Sequence, residues 1–209
     1  MNVSKETENY VLSFSSIKDA LKKGLINYSK LSRQIIKDTE LNPKDFDAVL
    51  VALRRLEYKL RKKKSFEKQI RTLLKNTKLE IKNKMMVCII EKNVFHNNVL
   101  ELQKDIKGLK GDVRVVEGVQ AITMITSQEF EELVDNYFKL KIIKKTKNLI
   151  EIILRSPESL EEVPGVMGYL YSLFAEQGIN IVETMSCWTD TIFIIEKRDL
   201  DKTIKMLTF

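Results

Sequence analysis

Apolar residues change their spacing once along this chain. Up to about position 77 they recur every three or four residues, the period of a helix with one buried side; beyond that they fall into short alternating runs set between helical stretches. Residues 15–64 predict three helices. Ser16 with Asp19 fits an N-cap with an acidic third position, Ile17, Ala20 and Leu21 follow at helical spacing, and Gly24 supplies a stop. Asn27 is placed to cap a second helix carrying Tyr28, Leu31, Ile35 and Ile36 on one side and ending near Thr39. The third start is the clearest: Asn42 caps, Pro43 suits the first helical position, and Asp45 complements the positive helix end. Phe46, Val49, Leu50, Leu53, Leu56 and Leu60 then form one stripe. Residues 65–77, with Phe66, Ile70, Leu73 and Leu74 in register, predict a connecting helix.

From Lys78 onward one order of elements occurs twice. In the first pass KLEI and MMVCIIEK flank a turn-like Lys82–Lys84. The helix NNVLELQKDIKG, closed by Gly108, the strands DVRVVEGVQ and AITMITS, and the helix EFEELVDNYF follow. In the second pass KIIKK and LIEIILRS flank a turn-like Thr146–Asn148. GVMGYLYSLFAEQG is then a helix, INIVETMSCW and DTIFIIEK are strands, and DLDKTIKML is a short helix. The expected class is α+β: a basic three-helix, helix-turn-helix-like domain with its connecting helix over 1–77, then two ferredoxin-like units over 78–139 and 140–209, each with two helices on one sheet face.

Composition narrows the class further. With 44% hydrophobic and 31% charged residues, three prolines and seven glycines, the 209 residues favour regular packed structure over disorder. The start MNVSKETENYVLSF lacks the basic and apolar regions of a secretory signal, and no run approaches eighteen apolar residues. A cytoplasmic protein without a membrane partner is expected. Cys88 and Cys187 lie in alternating apolar runs without a CxxC pair, so buried free thiols are expected and no metal site.

Charge is uneven. Positions 1–85 hold 21 lysines and arginines against 10 acidic residues, whereas the rest holds 15 against 19. Basicity of that kind suits an acidic partner such as DNA, contacted by Lys44, Arg54, Arg55 and the run Arg61, Lys62, Lys63, Lys64, with phosphate contacts dominating. The same residues also fit a solvated helix end, where cations oppose the negative end of the helix dipole.

Val163-Pro164-Gly165-Val166 opens a helix, Gly178-Ile179-Asn180-Ile181 leads into a strand, and Thr189-Asp190 stands before a strand that runs to Asp199-Leu200-Asp201. In these features residues 149–207 resemble an ACT domain of the aspartokinase type. The likeness extends more faintly over 78–138 by element order. The resemblance implies that a small amino acid binds where a strand-to-helix loop of one unit meets a neighbouring unit. Its contacts would be Glu162, Val163, Pro164, Gly165, Val166 and Met167 with Asn180 and Ile181. Backbone N–H groups at the helix start would take the carboxylate, and Glu161, Glu162 or Glu183 the ammonium. The departures are Glu162 where the family often has a shorter acid, and Met185, Ser186 and Cys187 where it commonly has a glutamine. A plain strand-to-helix turn is the competing reading of Pro164 and Gly165, and a plain strand start that of Asn180. The first unit has Val94-Phe95-His96-Asn97-Asn98 in the corresponding place, without a Pro-Gly pair.

No catalytic constellation is legible. His96 reads as a polar loop residue, Trp188 as a packing residue, Tyr169, Tyr171 and Phe174 as core, and Glu129, Glu131, Glu132 and Asp135 as a solvated helical turn. The glycines are isolated, and no phosphate-cradling loop is present. The expected function is therefore that of a non-enzymatic, amino-acid-responsive regulator without a cofactor, acting on transcription through the basic domain. The alternative is a subunit that docks on a biosynthetic enzyme and confers feedback on it. Unprotected sheet edges predict a homodimer or larger homo-oligomer.

Overall fold

Helical spacing begins earlier than position 15. Val3, Thr7 and Val11 recur every fourth residue and form one face of α1 (Val3–Ser13), a helix not evident from apolar spacing because Thr7 interrupts the pattern. Thr7 is fully buried and donates its hydroxyl back to the Val3 carbonyl at 2.8 Å, which satisfies it inside the core. Asn2 caps the helix by accepting the Lys5 amide at 3.2 Å.

In the computed structural model, which describes residues 2–93 and 96–209, three further helices follow in this part of the chain: α2 (Ser15–Lys22), α3 (Tyr28–Asp38) and α4 (Phe46–Arg61). Ser16 lies inside α2 and is not its cap; the N-cap position falls on Phe14, which makes no side-chain cap bond. Gly24, left-handed at φ 71°, ends that helix as expected. Asn27 caps α3 through the Lys30 amide at 3.0 Å. Asn42 accepts the Lys44 amide at 3.0 Å while Asp45 accepts the Asn42 amide at 3.0 Å, and this capping box opens a 3-10 turn, Pro43–Asp45, that runs into α4. α1, α2 and α3 all pack on α4, around Val11, Leu21, Ile35, Val49 and Leu53.

These helices belong to one compact unit, Met1–Ser65; the remainder, Phe66–Phe209, is a second. The second unit begins with α5 (Glu67–Lys75), whose Ile70, Leu73 and Leu74 enter its own core. The remaining elements are β1 (Lys78–Glu91), α6 (His96–Gly108), β2 (Val113–Glu117), β3 (Ala121–Ser127), α7 (Glu131–Phe138), β4 (Ile142–Arg155), α8 (Val166–Glu176), β5 (Ile181–Cys187), β6 (Asp190–Glu196) and α9 (Leu200–Leu207). One antiparallel sheet results, in the order β2-β3-β1-β4-β6-β5.

The turn-like stretches at Lys82–Lys84 and Thr146–Asn148 are not turns. Each sits within a single 14-residue strand, β1 or β4. Lys84 and Asn148 adopt left-handed φ values of 54° and 57°, and the β1–β4 register shifts between Lys82 and Met85. Both are bulges, which bend a strand without reversing it. Similarly, α6 is closed by left-handed Lys110 (φ 62°), two residues beyond Gly108, while Gly178 (φ 65°) closes α8.

The bulges divide the sheet into two four-stranded halves that share their central strands. The later part of β1, from Met85, pairs with β3 and with the first part of β4, from Ile142 to Leu149. The earlier part, Lys78–Lys82, pairs with Glu151–Arg155 of β4, which in turn pairs with β6. Each repeat therefore completes its sheet with half a strand from the other. α6 and α7 cover the first half around Met86, Leu102, Met124 and Phe138. α5, α8 and α9 cover the second around Ile152, Phe174 and Phe193.

The opposite sheet face is also buried, around Met85, Val87, Ile125, Leu149, Ile153 and Ile194. Within it Arg114 of β2 places Nε 2.8 Å from Glu151 of β4, although two strands lie between them, so the sheet curls over this face. Lys82 stands 3.9 Å from the same carboxylate and 2.6 Å from Asp112. Glu151 is 1% exposed, and neither of its oxygens completes a directed hydrogen bond within the described structure. Burial pushes its pKa above the ordinary value despite the two cations.

The thiols differ. Cys88 is buried and its pKa is pushed up to about 11 by burial, whereas Cys187, at the outer end of β5, is exposed, contrary to the expectation of two buried thiols. One thiol per native chain is expected to react with a water-soluble disulfide reagent at pH 8, and two in denaturant; a Cys187→Ser chain should show none when native.

Candidate functional site

The loop between β4 and α8, together with the first two residues of that helix, holds six of the eight residues expected to bind a ligand. A 3-10 turn, Glu158–Glu162, carries the chain from Pro157 towards Val163. Gly165 then occupies the N-cap of α8 at φ 93°, a conformation that favours glycine, and no side chain caps the helix. Without such a cap, the first-turn N–H groups remain open to a ligand or to solvent. A cavity of about 330 Å³ opens there. Glu161, Val163, Gly165, Val166, Met167 and Ser186 line it, with Trp188 at its rim. Leu160 beneath is buried in the core. Pro164 and Glu162 are exposed and set the path of the loop without lining this cavity.

Trp188 is 60% exposed, contrary to the expected packing role. It is left-handed at φ 51° in the turn from β5 to β6, which carries its indole outward. Thr189 of that turn accepts the Ser156 amide at 2.9 Å, tying the turn to the end of β4. Ser186 and Trp188 were thus missing from the expected ligand set. The sequence signal for them was the Thr189-Asp190 turn, which brings the β5 end beside the loop.

Asn180 and Ile181 lie elsewhere. They start β5 just beyond the C-terminal end of α8, so the length of that 11-residue helix, about 16 Å, separates them from Gly165. Within one chain the eight expected residues form two places. Around Asn180 and Ile181 there is a cleft of about 550 Å³, bordered by Lys144, Thr146, Lys147, Asn148, Leu149, Glu196, Lys197 and Arg198. Glu183, half-buried on β5, has a pKa raised by that burial. Tyr171 is partly exposed and donates to Thr184 at 3.3 Å; Phe174 is core, as expected.

The α7 carboxylates are not simply solvated. Lys145 bridges Glu131 at 3.1 Å and Asp135 at 2.6 Å, and Lys147 bridges Glu131 at 3.1 Å, which holds the Glu131 carboxyl below its ordinary pKa. His96 opens α6 rather than lying in a loop; Val94 and Phe95, part of the corresponding loop of the first repeat, lie outside the described residues. Among the described residues no group of three His, Cys, Asp or Glu side chains is placed to hold a metal ion. Among the described residues no helix is long and apolar enough to cross a membrane.

In the N-terminal unit, Arg54 lies 5.9 Å from the centre of the Tyr28 ring, Lys62 stands 4.2 Å over Tyr58, and Arg61 pairs with Glu57. Lys44 sits in the 3-10 turn before α4, Arg55 is exposed on α4, and Lys63 and Lys64 follow the helix. Arg54, Lys62 and Arg61 therefore already have partners within the unit.

No protein-family model matches this chain, and no curated protein does. Solved structures do match. An aspartate kinase from Clostridium acetobutylicum is similar over 62% of this chain and 33% of its own, with 12% identity and a TM-score of 0.53. A structure of aspartokinase alpha and beta subunits is similar over 62% of this chain and 93% of its own, with 9% identity and a TM-score of 0.50. This chain thus spans about a third of the Clostridium enzyme's length. The class defined here is a mixed helix-and-sheet fold with a curled, antiparallel six-stranded sheet. It is a fold shared with aspartate kinase structures.

Proposed function

We propose that the chain is a non-catalytic, amino-acid-sensing regulatory protein, and that its effector sits at the uncapped start of α8. The observation that carries this reading is the cavity at Gly165, where open helix-start N–H groups suit a carboxylate and Glu161 suits an ammonium group across the same space. The eight residues come together when a second copy is added. β5 is an edge strand; antiparallel pairing with β5 of another copy would set the Asn180 end of one beside the Ser186–Trp188 end of the other. The functional unit is then a homodimer.

A thermal-shift panel of the twenty amino acids tests this. One or a few should raise the melting temperature, since a ligand at a hundred times its dissociation constant adds about 2.7 kcal/mol. Gly165→Ala should cost about 1 kcal/mol of stability from its left-handed backbone and abolish the ligand shift. Glu161→Gln should weaken the shift at little cost in stability. Monomeric mass in sedimentation with ligand present, or no shift with any amino acid, would sink the reading.

The basic unit supplies the output. Residues 1–65 hold 15 lysines and arginines against 8 acidic residues, an excess equal to the whole chain's +7. That concentration of charge favours DNA, and hence control of transcription, over a neutral protein surface. A gel shift at graded salt should give binding that weakens steeply as salt rises. Capture of one amino-acid biosynthetic enzyme without DNA would favour the feedback-subunit reading instead.

A further inference from the structure

The two repeats match closely enough that one can serve as a control for the other. Left-handed Lys84 and Asn148 mark equivalent bulges, and left-handed Lys110 and Gly178 mark equivalent helix ends. The 3-10 turns Gln128–Phe130 and Lys197–Asp199 follow equivalent strands. In the first repeat, positions 80–85, 112–114 and 127–129 hold three cations, Lys82, Lys84 and Arg114, against three carboxylates, Glu80, Asp112 and Glu129. Lys82 reaches Asp112 at 2.6 Å.

The second repeat replaces that ion pair with Thr146 and Asn180, neither of them charged. Its cleft of about 550 Å³ is bordered by Lys144, Lys147, Lys197 and Arg198 and by one carboxylate, Glu196. Arg198 pairs with Glu196 at 2.9 Å, and Lys147 with Glu131 at 3.1 Å. Lys144 and Lys197 have no carboxylate within ion-pairing distance among the described residues. Leu149, Ile181 and Val182 add apolar lining. The volume lies within the range of small-molecule pockets, and unmatched cations in a cleft of mixed polar and apolar lining suit a compact anion.

We propose that this second-repeat cleft binds a small multivalent anion, a di- or tricarboxylate or a phosphate ester, held by Lys144 and Lys197 with the Asn180 amide as a further donor. Within one chain this cleft is distinct from the cavity at Gly165, and in the proposed dimer the two would share Asn180 and Ile181.

The test uses the full chain in 150 mM sodium chloride, titrated with citrate in one arm and inorganic pyrophosphate in another, and followed by backbone amide shifts. Saturable shifts centred on Asn148, Asn180 and Val182 are expected in at least one arm, and the arm that saturates at lower concentration identifies carboxylate or phosphate. Matched additions of sodium chloride should not reproduce them. Lys144→Gln with Lys197→Gln should weaken binding about tenfold, as expected for losing charge-assisted contacts, while Lys82→Gln in the first repeat should not. The proposal is overturned if neither anion gives saturable shifts, if shifts follow ionic strength alone, or if the double variant binds as tightly as the parent.

Discussion

Replacing Arg114 with methionine is expected to destabilise the second unit by about 3–5 kcal/mol, because it strands a fully buried carboxylate whose nearest cation has been removed. Urea unfolding followed by the fluorescence of Trp188, the single tryptophan, would report it. The loss should also depend on pH. Burial raises the folded-state pKa of Glu151 above its ordinary value of 4.5. The folded chain then holds this proton more tightly than the unfolded chain, so the group's contribution to stability falls as pH rises from about 4.5 through the raised value, and is level above it. Without Arg114 the folded pKa climbs further, so the variant should be hurt more at pH 8 than at pH 5. Adding Glu151→Gln to Arg114→Met should recover much of the loss and flatten this pH dependence. A single Arg114→Met variant as stable as the parent at pH 8 would show that the pair contributes nothing.

Phe193→Ala should cost a similar amount, about 3–5 kcal/mol, by a different route. Phe193 is fully buried on β6, its ring centre 4.6 Å from that of Phe174 and 5.9 Å edge-on to that of Tyr171. Truncation leaves a cavity between the sheet and α8 that neighbours locked into a strand and a helix cannot fill. Phe174→Ala should cost about as much. The double variant should cost less than the two losses added, because both remove the same ring contact. Additive losses would mean that the rings do not interact beyond burial. Phe193→Leu, which keeps most of the volume, should lose clearly less.

Much of this arrangement was legible from spacing. The stripe from Phe46 to Leu60, the Asn42 cap and the strands β3 and β6 each follow from a local rule and appear where expected. What failed were inferences that needed distant partners. KLEI and MMVCIIEK read as two strands because Asn83 and Lys84 carry the polarity of a turn; a left-handed bulge needs the same polarity, and only pairing with β4 distinguishes the two. α1 was missed because a buried threonine looks polar in sequence and apolar once its hydroxyl bonds its own helix. The Arg114–Glu151 pair could not be foreseen, since their meeting depends on sheet curl across two intervening strands. At the candidate site the helix start at Gly165 was legible from the Pro-Gly pair. The separation of Asn180 from it was not, because element order gives neighbours in sequence rather than opposite ends of a helix.

The shared central strands affect how the chain is made. Lys78–Lys82 leaves the ribosome well before Glu151–Arg155, its partner in the sheet. At about 5–20 residues per second, that early segment must wait several seconds with one row of backbone groups unsatisfied. Neither repeat can reach its final form during synthesis without the other, so a chain cut between β3 and β4 should yield two fragments that are each insoluble alone yet able to reassemble when mixed.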